Sequence, residues 1–343
     1  MLGAIQHARR RSDLRLLALV TFAAFSACST DDSGPSAPVN VSGVPTPRFK
    51  TAIALVTATY TGIPYGPFGL WKLSALKADP APFTVSHNFI NADSLVAQIN
   101  AARNAGQRLV LAMTGGGSEQ YITNGQFDMD KWKSVMNTYR KKDLKQVVAD
   151  AVADGTIVGN TLIDEPETKQ WGTNLTKSMV DQMATYAKNI FPTLPVGVNH
   201  GPPGYTWRSS ERYKKVDYAV YQYAHWVTAG DVAAWKAAVL AQARRDGVKT
   251  GMSLNILNGG AQDRDGTYDC SGDDQGGLGT KSPNCRMTPD HLQSWGEALT
   301  PDACVMLMWQ YDATYMSDAA NLDAINYVAA LAASKPRPSC KRQ

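Results

Sequence analysis

Three carboxylates surround a proline directly after a short apolar run. The stretch 159–167 reads Gly-Asn-Thr-Leu-Ile-Asp-Glu-Pro-Glu, so Asp164, Glu165 and Glu167 follow the apolar residues at once. Neighbouring carboxylates are groups that general acid–base chemistry uses. Because proline disfavours helical backbone at the residue before it, we expect Glu165 to stay extended and to project beyond a strand end. A helix start, with Asp164 as its cap, fits the same residues equally well.

The elements around this stretch decide between the two interpretations. From residue 50 onward, apolar runs alternate with segments of helical periodicity. The pattern predicts strands at 51–58, 83–89, 108–113, 156–163, 194–198, 216–221, 249–256 and 303–309. Strands that alternate with helices in this number are typical of an α/β protein of the (β/α)8 TIM-barrel type, here in a single domain. The alternative, an open doubly wound sheet, would need a glycine-rich phosphate turn after its first strand, and the proline and aromatic residues found there do not fit one.

The loops that follow the strands of a TIM barrel meet on one face, which carries the active site. We therefore expect the polar and aromatic residues that follow the predicted strands to contact a substrate together. Aromatic rings stack on the C–H faces of sugars, and amides and carboxylates bind sugar hydroxyls. The predicted carbohydrate contacts are Tyr60, Tyr65, Trp71, Glu167, Asn199, His200, Gln222, Tyr223, Asn255, Trp309, Gln310 and Tyr311.

Asp164-Glu165-Pro166 after the fourth strand and Trp309 in the eighth resemble features of the (β/α)8 glycoside hydrolases. In the large retaining clan of that superfamily, the fourth strand ends in Asn-Glu-Pro, and the Glu is the acid/base. The resemblance implies that Glu165 has this role and that the substrate is a poly- or oligosaccharide. The seventh predicted strand departs from the clan, because the residues 252–258 contain no carboxylate to act as nucleophile. Glu165-Pro166-Glu167 also resembles the chitinase-type families, in which the acetamido group of the substrate acts as the nucleophile.

Glycosidic cleavage needs a second group besides the acid. Asp312, after the eighth strand, is the best candidate, and Asp164 is the other. A separation of about 5 Å between the two carboxyl groups would indicate retention, and about 6.5–9.5 Å inversion. Two other functions stay open. One is a metal-dependent hydrolase that uses His87, His200 and His225, and the other is a non-catalytic glycan-binding lipoprotein on a degenerate barrel.

The first 27 residues are typical of a secretory signal. Four arginines precede the uncharged apolar run 16–27, which is too short to span a bilayer as a mature helix. Small residues before Cys28 resemble a bacterial lipobox, so we predict a signal peptide at 1–27 and lipidation of Cys28. The Ser/Pro/Gly-rich segment 28–47 is predicted to be a flexible tether, and the barrel domain to occupy 48–340. We expect an exported protein that is either lipid-anchored to the bacterial cell envelope or secreted.

Cysteine count and charge agree with this location. Five cysteines are present, and lipidation of one leaves four for disulfides in an oxidising compartment. The most local of the three possible pairings joins Cys270 to Cys285 and Cys304 to Cys340. The net charge of +4 falls to about +1 without residues 1–27, so the composition gives no basis for a nucleic-acid partner. We expect a monomer that needs no cofactor or metal, with a carbohydrate substrate and the membrane, through its lipid anchor, as partners.

Overall fold

A computed structural model describes residues 61–70, 83–115, 117–202, 204–225, 231–260 and 286–342. Eight strands form its main sheet: β1 (Tyr65–Pro67), β2 (Val85–Phe89), β3 (Arg108–Ala112), β4 (Ile157–Asp164), β5 (Val196–His200), β6 (Tyr218–Tyr223), β7 (Lys249–Asn255) and β8 (Met306–Trp309). The described residues also form the α-helices α1 (Leu95–Asn104), α2 (Met129–Asn137), α3 (Lys142–Ala153), α4 (Lys177–Ile190), α5 (Val232–Asp246), α6 (Pro289–Leu299), α7 (Ala313–Ser317) and α8 (Ala319–Ser334).

The eight strands are all parallel, in the order β1-β8-β7-β6-β5-β4-β3-β2. The two ends of this order meet, because the Thr84 N–H donates to the Tyr65 carbonyl at 2.8 Å and Phe68 forms a parallel bridge with His87. The sheet therefore closes into a barrel with helices outside it. The predicted (β/α)8 fold is confirmed.

Seven of the predicted strands form close to their predicted positions, and the predicted strand 51–58 lies outside the described residues. The structure adds β1, which the sequence did not predict. β1 is short and contains Gly66 and Pro67, so it lacks the apolar run that marks a buried strand. A Cβ atom at Gly66 would lie 1.8 Å from the Val85 carbonyl oxygen, so the close approach of β1 to β2 requires glycine.

Alternation along the strands decides which side chains face the interior of the barrel. Val85, Val110, Val158, Tyr218, Val220 and Leu307 belong to one buried cluster, and the larger cluster packs the helices on the strands. Tyr65 and Tyr223 belong to the larger cluster. The Tyr65 hydroxyl donates to the Met308 sulfur at 3.1 Å, and Tyr223 packs edge-on against Trp235 and Trp295. Their predicted role as substrate contacts is wrong, because both rings are buried between strands and helices.

A disulfide joins Cys304, just before β8, to Cys340 after α8, as predicted. It ties the C-terminal segment to the end of the barrel opposite the mouth and closes a stretch of 36 residues. Cys270, Cys285 and the proposed lipidation site Cys28 lie outside the described residues. Within the ranges described, no helix has the length and apolar character to cross a membrane.

Candidate active site

Asp164 is the last residue of β4 and lies at the mouth of the barrel. Its carboxylate accepts a hydrogen bond from the Asn199 side-chain amide at 3.1 Å, and its carbonyl accepts one from the Trp171 indole at 2.6 Å. The side chain reaches solvent at the mouth, but protein atoms surround it closely. Desolvation therefore raises the pKa of Asp164 to about 6, against the opposing effect of the Asn199 hydrogen bond.

Glu165 begins a turn and does not continue the strand. Its φ is +46°, and its carbonyl accepts a hydrogen bond from the Thr168 N–H at 3.0 Å. The expectation of an extended Glu165 is therefore wrong: proline excludes right-handed helical backbone here, and the chain takes the left-handed region instead. Such a conformation costs about 1–3 kcal/mol and is concentrated at functional sites.

The environment of the Glu165 carboxyl raises its pKa to about 7. Desolvation is the main cause, and the negative charges of Asp164 and Glu167 add to it. A carboxyl group with this pKa keeps a large protonated fraction near neutral pH, which is what a general acid requires. The two neighbouring residues therefore form a pair in which Glu165 holds its proton to a higher pH than Asp164.

Glu167 and His200 contact each other through their side chains. A Glu167 oxygen lies 3.0 Å from His200 Nδ1, and its other oxygen accepts the Gly201 N–H at 2.5 Å. His200 stacks on Tyr221 and contacts the Tyr213 hydroxyl through Nε2 at 3.3 Å. Both side chains are therefore engaged with other protein groups, and their substrate contacts stay a prediction. Their contact fixes the turn that carries Glu165.

Amide and hydroxyl groups line the floor beside the carboxylate pair. His87 Nε2 lies 2.9 Å from the Thr161 hydroxyl and 3.4 Å from the Asn199 amide nitrogen. Burial lowers the pKa of His87 to about 3, so its ring is neutral. On the opposite side, the Asn255 amide donates to the Gln222 carbonyl oxygen at 3.1 Å. Asn199, Gln222 and Asn255 are thus largely engaged with other protein groups, and their contacts with a substrate stay a prediction.

A cleft of about 370 Å³ opens above this floor, and a recess of about 20 Å³ shares three of its lining residues. The cleft lining includes Asp164, Trp309 and Gln310, all predicted from sequence, and the recess contains the predicted residues Glu165, Asn199, His200 and Gln222. Several further residues that line the cleft had no predicted site role: Phe68, Phe89, Thr161 and Trp171. The sequence signal for Phe89 was its position as the last residue of a predicted strand, which places it at the mouth, and its side chain is 38% exposed there.

Asp312 has a structural role that the sequence did not reveal. Its carboxylate accepts the Tyr315 N–H at 2.7 Å and caps α7, and it does not line the cleft or the recess. The prediction that Asp312 is the second catalytic carboxylate is therefore wrong. Tyr311 is half-buried against the core, and the predicted contacts Tyr60 and Trp71 lie outside the described residues.

The three histidines considered for a metal site do not converge. His87 lies in the floor, His200 faces Glu167, and His225 stacks on Trp295. Within the described part of the chain, no three side chains of His, Cys, Asp or Glu are grouped so that they could hold one metal ion.

No protein-family model matches this chain, and no curated protein matches it either. Among solved structures, it is similar to xylanase 10B from Thermotoga maritima, with 10% identity over 81% of this chain and 98% of that one, and a TM-score of 0.48. An intracellular xylanase from Thermoanaerobacterium saccharolyticum has 10% identity over 77% and 95% of the two chains, with a TM-score of 0.48. A β-mannanase from the blue mussel Mytilus edulis has 9% identity over 78% and 85%, with a TM-score of 0.45.

Proposed function

We propose that this protein is a glycoside hydrolase that cleaves a poly- or oligosaccharide at the mouth of the barrel. The observation that carries the proposal is the pair Asp164 and Glu165, whose pKa values are raised to about 6 and about 7 at the end of β4. Carboxyl groups with separated and raised pKa values are the usual means of acid–base catalysis on glycosidic bonds.

In this mechanism Glu165 donates its proton to the glycosidic oxygen as the bond to the leaving sugar breaks. A water molecule then bonds to the anomeric carbon and gives a proton to the Glu165 carboxylate, which restores the acid. Asp164 loses its proton at lower pH than Glu165, so near neutrality it supplies a negative charge beside the positive charge that develops on the sugar ring. Asn199 holds the Asp164 carboxylate by its hydrogen bond, and the contact of Glu167 with His200 holds the turn. With Asp312 engaged in capping α7, Asp164 is the second catalytic group of this proposal.

Aromatic side chains support a sugar as the occupant of the cleft. Trp309 is half-buried and lines both the cleft and the recess, and Phe89 exposes part of its ring to the cleft. Rings at this depth present an apolar face to the C–H face of a sugar while the floor presents amide and carboxylate groups to its hydroxyls. We also propose that the protein is exported and is held at the cell envelope by lipid on Cys28, as the start of the sequence indicates.

The test is hydrolysis of a panel of neutral and acidic polysaccharides by the wild type, by Glu165→Gln and by the control Glu297→Gln on the exposed face of α6. We expect the wild type and the control to release reducing sugar from at least one member of the panel. Glu165→Gln should be slower by about 10²–10⁴-fold, the usual contribution of a general acid. Binding of a glycan without cleavage by the wild type would contradict the proposal and favour a binding protein. Loss of activity with a chelator would favour the metal-dependent alternative.

A further inference from the structure

A second and larger concavity, of about 750 Å³, lies on the outer wall of the barrel. We call it the outer groove; its lining includes Lys133, Thr176, Asp181, Asn189, Arg212 and Lys215. The lining follows α4 from its cap Thr176 to Asn189, which is a length of roughly 20 Å at the rise of an α-helix. An elongated groove of this length fits several units of a linear polymer.

The two carboxylates of the outer groove are satisfied from within the protein. Asp181 accepts backbone N–H groups of Lys214, Lys215 and Val216 at 2.7, 2.7 and 3.3 Å. Glu211 accepts the Lys177 backbone N–H at 3.0 Å and a guanidinium N–H of Arg208 at 2.8 Å. Both carboxylates keep their negative charge, but their oxygens are engaged with these fixed donors, so neither forms an ion pair with the exposed basic side chains nearby.

Three of the basic side chains are left exposed. Arg212, Lys214 and Lys215 have no side-chain hydrogen bond or ion pair with any described residue. Because the backbone N–H groups of Lys214 and Lys215 are held by Asp181, both side chains start from a fixed position beside the groove. Lys133 adds a fourth positive charge, although it also lies 3.5 Å from Asp130.

We propose that the outer groove binds an anionic polysaccharide, such as a chain of uronic acid units. The positive charges complement a polymer with one carboxylate on each sugar, and the length of the groove suits a linear chain. Nucleic acid fits less well, since duplex DNA carries a charge about every 1.7 Å of its axis and would need a wider basic surface. The outer groove shares no lining residue with the cleft, so this binding is independent of the proposed hydrolysis.

The experiment measures the affinity of the full chain for polygalacturonate by titration calorimetry at low and at high salt. The test variant carries Arg212→Gln, Lys214→Gln and Lys215→Gln, and the control variant carries Lys145→Gln, Arg244→Gln and Lys341→Gln at exposed positions outside the groove. We expect salt-sensitive binding by the wild type, a loss of about tenfold or more in the test variant, and little change in the control. Both variants should unfold at the wild-type temperature, because all six side chains are exposed.

Three results would overturn this inference. The first is that the wild type binds no polygalacturonate at all. The second is that the control variant loses as much affinity as the test variant, which would mean non-specific attraction. Tighter binding of a DNA duplex than of polygalacturonate, lost in the same test variant, would make the groove a nucleic-acid site. None of these results depends on whether the protein cleaves a glycan, so the proposed hydrolysis is tested separately.

Discussion

The mouth of the barrel and the outer groove both contain carboxylates, but the two regions surround them with different numbers of hydrogen-bond donors. In the outer groove, Asp181 accepts three backbone N–H groups. At the mouth, Asp164 accepts one side-chain hydrogen bond, and Glu165 accepts none on its carboxylate from the described residues. Donors stabilise the charged form of an acid, and desolvation without donors destabilises it. We infer that the outer carboxylate stabilises the fold, whereas the two carboxyl groups at the mouth have pKa values that allow them to exchange a proton near neutral pH.

The same contrast appears within a single turn. Glu165 and Glu167 are two residues apart, and only Glu167 has fixed partners, in His200 and the Gly201 N–H. The positive φ of Glu165 turns the chain so that the two side chains enter different surroundings. The sequence presents both as equal candidates, and the backbone conformation separates their roles.

Of the two variants that compare the acids of the mouth and the outer groove, Asp164→Asn is expected to have the larger effect on the rate. We expect Asp164→Asn to lower kcat by about 10²-fold while the unfolding temperature changes little, because this carboxylate is poorly stabilised in the folded state. Steady-state kinetics on the best polysaccharide and thermal unfolding measure the two effects. An unchanged kcat would remove Asp164 from the catalytic pair.

Removing the outer carboxylate should have the opposite outcome. We expect Asp181→Ala to lower the free energy of unfolding by about 3 kcal/mol, because three backbone N–H groups lose a charged acceptor. The kcat of the folded variant should match the wild type. Urea unfolding and kinetics at a temperature where the variant is folded check both statements. A stable but inactive Asp181→Ala protein would contradict the division of roles between the two regions.

The pH dependence of activity tests whether the charge of Asp164 raises the pKa of Glu165. Hydrolysis needs protonated Glu165, so the rate should fall as pH rises through about 7. Since the Asp164 charge contributes to the raised pKa of Glu165, Asp164→Asn should move this decline to lower pH. Profiles of kcat/KM against pH for both proteins measure the shift. A decline at the same pH in the variant would show that the two carboxyl groups are not coupled.

The smallest expected effect concerns stability against pH. The pKa of Glu165 is about 7 when folded and about 4.5 when unfolded, so between these values the folded state holds a proton that the unfolded state has released. Stability must therefore fall as pH rises through this window. Glu165→Gln should remove that part of the decline, so that its stability relative to the wild type is greater above pH 7 than below about 4.5. Urea unfolding on both sides of the window is the measurement, and an equal difference at both ends would contradict the raised pKa.

The barrel was predictable because buried parallel strands are nearly continuous apolar runs, which seven of the eight strands show. β1 was not predictable, since Gly66 and Pro67 interrupt its apolar pattern and its place depends on the close approach to Val85.

The direction of the Tyr223 side chain could not be predicted from the apolar pattern of its strand either. The sixth strand runs two residues further than its apolar pattern, and strict alternation then turns Tyr223 outward and Gln222 inward.

Within the site, the sequence indicated Asp164, Glu165 and Trp309, because they stand at strand ends that a barrel brings together. It did not indicate that Glu167 and His200 bind each other, since that contact depends on the turn at Glu165. Nor did it show that Asp312 caps a short helix, because a capping aspartate and a catalytic one have the same sequence signature after a strand.

The most direct test of the central claim is the dependence of the Glu165→Gln defect on the leaving group. A general acid matters most when the departing oxygen is strongly basic, as in a natural glycosidic bond, and little when the departing group is a dinitrophenolate. We predict that Glu165→Gln loses about 10²–10⁴-fold on the natural linkage and far less on the dinitrophenyl glycoside of the same sugar. An equal loss on both substrates would contradict the assignment of Glu165 as the acid.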